Sequence, residues 1–126
     1  MRYFYRVCHV PDPSEWLSVP EVAELLQVRQ RDVRQMLADK KLVAIRRGQN
    51  NAWYINAGQL IAKDGKVIPI PALRGTLTLL SDAGYAADEA LNWLTTVDVE
   101  LGQTPLETLR SGKIHAVRRV IAGLAF

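Results

Sequence analysis

The sequence contains one cysteine, Cys8, and no run of about 18 apolar residues. A lone thiol excludes an internal disulfide, and the missing run excludes a membrane-spanning helix. The opening MRYFYRVCHV lacks the apolar core and small-residue cleavage site of a signal peptide, so the expected compartment is the cytoplasm. Catalytic signatures are missing too. There is no G-x-x-x-x-G-K-[ST] phosphate loop, no G-x-G-x-x-G, no G-x-S-x-G and no H-E-x-x-H. Cys8 and His9 are neighbours that a strand would send to opposite faces, and no further ligand cluster stands at metal spacing. The acid pair Asp88-Glu89 falls in the first turn of a predicted helix, where the macrodipole accounts for it. The expectation is a protein that binds rather than catalyses, with no cofactor and no metal. Internal repeats and low-complexity tracts are also absent.

What remains is a globular composition: 48% hydrophobic and 23% charged over 126 residues, enough for one ordinary domain or two small ones sharing a core. The net charge of +3 is modest but unevenly spread. Residues 27–51 hold seven bases (Arg29, Arg31, Arg34, Lys40, Lys41, Arg46 and Arg47) against two acids, Asp32 and Asp39. Such a local excess is the footprint of a surface for polyanions.

The same stretch has a readable architecture. Ser18 and Glu21 stand at capping-box spacing with Pro20 in the first turn, and Val22, Leu25 and Leu26 make an apolar stripe. After the short break Gln27-Val28-Arg29-Gln30, a second helix turns Val33, Met36 and Leu37 inward and leaves Gln30, Arg31, Arg34 and Gln35 outside. Arginine and glutamine on a braced helix can reach base edges and phosphates in a major groove. Asp39-Lys40-Lys41 closes that helix, the lysines suiting both its C-terminus and phosphate. A hairpin follows: Leu42–Ile45, a turn over residues 46–51, then Ala52–Ile55. Leu42, Ile45, Trp53 and Ile55 are the predicted core-facing or sheet-bracing residues. Arg46 and Arg47 are predicted beside Gly48 at a loop tip, suited to a minor groove or to phosphate. The whole reads as a winged helix-turn-helix.

Elsewhere, residues 1–10 alternate as a short strand would, and Pro11-Asp12-Pro13-Ser14 reads as a turn. Residues 57–63 suit a short helix, Asp64-Gly65-Lys66 a turn, and residues 67–71 an extended segment fixed by Pro69 and Pro71. From there the pattern is helical. Leu73, Leu77 and Leu80 share a face, and Gly84 is placed as a cap. Residues 87–94 form the next helix with Leu91 and Leu94 inward, and residues 98–103 a loop. Thr104-Pro105-Leu106-Glu107 is a second capping box opening a helix that stops at Gly112. Residues 113–125 end the chain with a stripe of Ile114, Val117, Ile121 and Leu124. The expected layout is an arm (1–15), a winged helix-turn-helix (16–62), a linker (63–71) and a helical C-terminal domain (72–126); the fold class is mainly α with a small β-hairpin wing.

These residues carry resemblances. SVPEVAELLQV followed by RDVRQMLADKKLVAIRRG resembles the winged helix-turn-helix of excisionase-like and MerR-like DNA-binding proteins. By position, that resemblance makes Arg31, Arg34 and Gln35 of the second helix and Arg46, Arg47 and Asn50 of the wing DNA contacts. ALRGTLTLLSDAGYAADEALNWL with LGQTPLETLRSGKIHAVRRVIAGLAF is similar to the C-terminal domain of a small actinobacterial DNA-binding protein family of this two-part layout. The last 40 or so residues also resemble the toxin-binding domain of Xre/MbcA/ParS-type antitoxins, which implies a protein partner for the C-terminal helices.

The expected partner is therefore double-stranded DNA, met by Arg29, Gln30, Arg31, Arg34, Gln35, Lys40, Lys41, Arg46, Arg47 and Asn50 in a transcriptional regulator. The alternatives are a protein-interaction module and a DNA-architectural accessory factor. Composition leaves the oligomeric state open.

Overall fold

The structure, a computed structural model, describes residues 10–124. The strand expected over the first ten residues, and the surroundings of Cys8 and His9, lie outside the described residues. The Asp12–Ser14 turn is present, with the Asp12 carboxylate accepting from the Ser14 N–H at 2.9 Å.

A short strand, β1 (Trp16–Ser18), runs directly into α1 (Val19–Leu26). Ser18 ends the strand and caps the helix: its N–H donates to Glu21 Oε1 at 2.9 Å, and the Glu21 N–H donates to its hydroxyl at 3.3 Å. Gln27 enters the left-handed region (φ 58°) and ends α1, which lets α2 (Gln30–Ala38) turn back upon it. At the head of α2 the Arg29 N–H donates to the Asp32 carboxylate at 3.0 Å. At its foot Lys40 takes the left-handed position of a Schellman turn (φ 62°), so that the Lys41 N–H reaches the Met36 carbonyl at 2.9 Å.

Strands β2 (Ala44–Arg47) and β3 (Ala52–Asn56) form the wing, and β1 adds on the far side of β3, all antiparallel. The register pairs Ala44 and Leu17 with Ile55, so these three share the core face. That corrects the expected alternation. Trp53 is not a core residue but is 37% exposed, because it lies two residues beyond Ile55 where the ribbon leaves the core. The turn also differs from expectation: Arg46 and Arg47 are the last residues of β2, and the loop is Gly48–Asn51, closed by the Asn51 N–H on the Gly48 carbonyl at 3.2 Å.

The segment expected as a short helix and a linker is neither. A single 3-10 turn (Ala57–Gln59) leads into a hairpin of β4 (Leu60–Lys63) and β5 (Lys66–Pro69), reversed at Asp64 and Gly65, both with positive φ. Val67 and Ile70 are buried, so the stretch is part of the core rather than a tether. Four helices follow: α3 (Leu73–Asp82), α4 (Ala87–Leu94), α5 (Pro105–Arg110) and α6 (Ile114–Leu124). Gly84 caps α3 at φ 98°. Thr104 caps α5, and its N–H and hydroxyl hold the surface carboxylate of Glu107 below the usual carboxylate range. Along α6, Val117 and Ile121 are buried, whereas Leu124 is exposed because the stripe there runs past the core.

One cluster of buried side chains spans both halves, from Val22, Val33 and Ile55 to Leu73, Leu80, Leu94 and Val117. Helix α4 packs beside β2, the edge strand of the wing sheet. The 3-10 turn is the seam. The Arg110 guanidinium donates to the Gly58 and Leu60 carbonyls at 2.9 and 2.6 Å. Gly58 is pinched, for a Cβ there would lie 2.7 Å from Asn56 Oδ1 and 2.9 Å from Leu106 Cδ2. Gly58→Ala is therefore expected to cost about 1–3 kcal/mol through overpacking, measured by chemical denaturation.

Candidate nucleic-acid interface

Helix α2 is braced on one side only. Val33 is fully buried while Met36 and Leu37 are half-buried, so the opposite ridge, at the helical spacing of i, i+4 and i+7, is Arg31, Gln35 and Ala38. Gln30 and Arg34 flank that ridge. All ten residues proposed from sequence as DNA contacts are exposed. Exposure does not make them equivalent.

Two are engaged by neighbouring carboxylates. Arg29 Nε lies 3.6 Å from Asp32, and the Gln35 side-chain amide donates to Asp39 at 3.0 Å. Both pairings are local to the helix and solvent-facing, so they orient the side chains at little cost. Among the described residues no carboxylate forms an ion pair with Arg31, Arg34, Lys40, Lys41, Arg46 or Arg47. These six are surplus positive charge.

The wing arginines are held by aromatic rings. Strand alternation sends them to opposite faces of the ribbon. The Arg46 guanidinium carbon sits 4.3 Å from the centre of the Trp53 ring, its cross-strand partner, and that of Arg47 sits 5.0 Å from the Trp16 ring. A cation over an aromatic face is attracted by the ring quadrupole, which restrains an otherwise floppy side chain. Sequence reading missed this role of Trp16, whose signal was the strand that the Ser18 cap obscured. Asn50 lies in the loop between β2 and β3.

The structure gathers one subset closely. Arg34 and Lys40 share a cleft with Trp53, so the foot of α2 and the wing are neighbours. Lys40 Nζ donates to the Ser81 hydroxyl of α3 at 3.2 Å. Arg47 stands on the other side of the ribbon, and Gln30 lies at the head of α2, away from the Lys40 turn. Groups that could hold a metal ion are absent among the described residues, and no described helix is long and apolar enough to cross a membrane.

Comparison with known proteins meets this geometry. Residues 8–52 match a family described as the wHTH domain of the DNA-binding protein Rv2175c, and residues 70–125 match one described as the Rv2175c C-terminal domain of unknown function. The DNA-binding protein Rv2175c of Mycobacterium tuberculosis (strain ATCC 25618 / H37Rv) is 37% identical over an alignment of 97 residues that covers 73% of this chain. The match spans 60% of that relative's own length. The solved NMR structure of Rv2175c superposes with a TM-score of 0.76 at 30% identity, covering 94% of this chain and 86% of that one. With both halves matched in sequence and the arrangement matched in space, this chain belongs to the Rv2175c family, a winged helix-turn-helix followed by a helical C-terminal domain.

Proposed function

We propose that the chain is a cytoplasmic, non-enzymatic transcriptional regulator that binds double-stranded DNA through residues 16–62. Helix α2 enters the major groove, where Arg31 and Gln35 meet base edges, Gln30 and Arg34 flank them, and Arg29 stands at the head of the helix. The wing lies against the adjacent backbone or minor groove with Arg46, Arg47 and Asn50, while Lys40 and Lys41 attract phosphate from the foot of α2. The observation that carries this reading is the set of six exposed cations on α2, its C-terminal turn and the wing that have no ion-pair partner among the described residues. A solvated face built for solubility alone gains nothing from leaving both carboxylates of the region tied to Arg29 and Gln35. The mycobacterial relative is itself named a DNA-binding protein.

The test is fluorescence anisotropy on a random 20-base-pair duplex over a salt series. The five of these cations not assigned to base edges predict a log–log slope of about −4.5 as phosphate contacts, hence roughly a 500-fold loss of affinity between 50 and 200 mM salt. A flat salt response refutes the reading. Lys41→Ala should weaken all sequences alike and lower the slope by about 1, whereas Arg31→Ala should also relax sequence preference.

A second reading, a protein partner for the helical half, draws on the loop between α4 and α5. There Val97 is 64% exposed and Val99 96%. Absence of duplex binding at every salt concentration would turn attention to it.

A further inference from the structure

A cleft lies between the foot of α2, the wing and α3. Its volume is about 410 Å³, within the range of small-molecule sites. The buried Leu42, Val43 and Leu77 line it together with Trp53 and Tyr85. Two cations, Arg34 and Lys40, stand at its rim with the Ser81 hydroxyl, and no acidic residue lines it.

We propose that this cleft binds a small monocarboxylic acid with a compact aliphatic or aromatic body. The apolar lining rewards burial of a hydrocarbon, which excludes an inorganic anion or a bare phosphate as the preferred occupant. The paired cations and the hydroxyl supply charge-assisted donors for one carboxylate and disfavour an amine. Lys40 is placed for this task by its backbone. Its left-handed φ of 62° is a position that glycine fills more cheaply, and it directs the ammonium across the cleft to Ser81 on α3, 3.2 Å away. A carboxylate entering between Lys40, Arg34 and Ser81 would take over that bridge.

The cleft also touches the face assigned to DNA. Arg34 and Lys40 cannot serve a bound carboxylate and a duplex phosphate at full strength together, so each ligand weakens the other by the same factor. That coupling rests on the DNA-binding reading; the ligand site does not.

The experiment titrates the full chain with octanoate, octan-1-ol and octylammonium, following backbone amide shifts without DNA. Octanoate should give saturable shifts around Leu77, Ser81 and Tyr85 with an affinity at least about tenfold above either analogue. The double variant Arg34→Gln with Lys40→Gln, both at exposed positions, should bind octanoate no better than it binds octan-1-ol. No saturable shift, equal binding of the three probes, or indifference to the double variant overturns the site. Anisotropy with duplex then reads the coupling: saturating octanoate should lower duplex affinity, and an unchanged affinity overturns the coupling while leaving the site. If the chain binds no duplex at all, the DNA reading falls and the amide titration decides the cleft by itself.

Discussion

Replacing Gln59 by leucine is expected to lower the unfolding free energy by roughly 2–6 kcal/mol. Gln59 is completely buried, and its amide is spent on one backbone residue. Its carbonyl accepts from the Val43 N–H at 2.8 Å, and its NH₂ donates to the Val43 carbonyl at 2.8 Å. The side chain thus supplies one more rung of ladder just before β2 begins, at a place where no strand runs. Leucine fills a similar volume but leaves a buried donor and a buried acceptor unmet, each worth about 1–3 kcal/mol. Against a total stability of about 5–15 kcal/mol, this should bring the melting temperature down by about 8 °C or more in a calorimetric scan. A drop of only a degree or two would mean that water satisfies Val43.

The Gln59→Glu variant adds a sign to the same argument. A protonated carboxyl can donate to the Val43 carbonyl, whereas a carboxylate faces that carbonyl with no hydrogen and is buried as a charge. Burial raises the folded-state pKa above the ordinary value of about 4.3, so the variant is penalised once pH rises past that value. Its deficit relative to wild type should be smallest below about pH 4 and grow towards neutrality.

The second large effect concerns the wing. Removing both arginines, Arg46→Ala with Arg47→Ala, deletes two phosphate contacts from the proposed complex. Counterion release puts the loss at ~10²-fold at 50 mM salt and roughly 20-fold at 200 mM, with the slope reduced by about 2. Because the two guanidinium groups lie on opposite faces of one ribbon, they suit the two phosphate chains that border a single groove. Lysine at both positions separates charge from geometry. It keeps the counterion slope near that of wild type but lacks the planar group that stacks on Trp53 and Trp16, so affinity should fall with the slope preserved. If alanine at both positions leaves slope and affinity unchanged, the wing does not meet DNA.

Much of this architecture was legible because local chemistry and tertiary packing agree. The Ser18–Glu21 and Thr104–Glu107 boxes, the glycine after α3 and the leucine stripes each announce the element that forms. What escaped was set by distant partners. Residues 57–63 have a helical look, yet Gln59 is drawn to Val43 and Leu60 pairs with Pro69. The Asp64-Gly65 reversal is a hairpin signal, but Pro69 and Pro71 make the same stretch look like extended chain; Pro69 is tolerated because it ends its strand. Trp16–Ser18 is too short to show alternation and becomes a strand only by joining β3. In the candidate interface, sequence spacing located the cations correctly on the surface. It could not show that strand alternation divides Arg46 from Arg47, nor that Arg34 leans beside a cleft shared with the C-terminal helices.

The interior that runs unbroken from Val22 to Val117 has a consequence for how the molecule can be cut. Severed after Pro69, the front piece would present the flank of Leu60 and Val67 to water, and the back piece would lack the strands that its helices cover. Neither would make a sound protein alone, so heat should melt the chain in one step, and the groove-facing half could not be borrowed by another protein without a substitute lining.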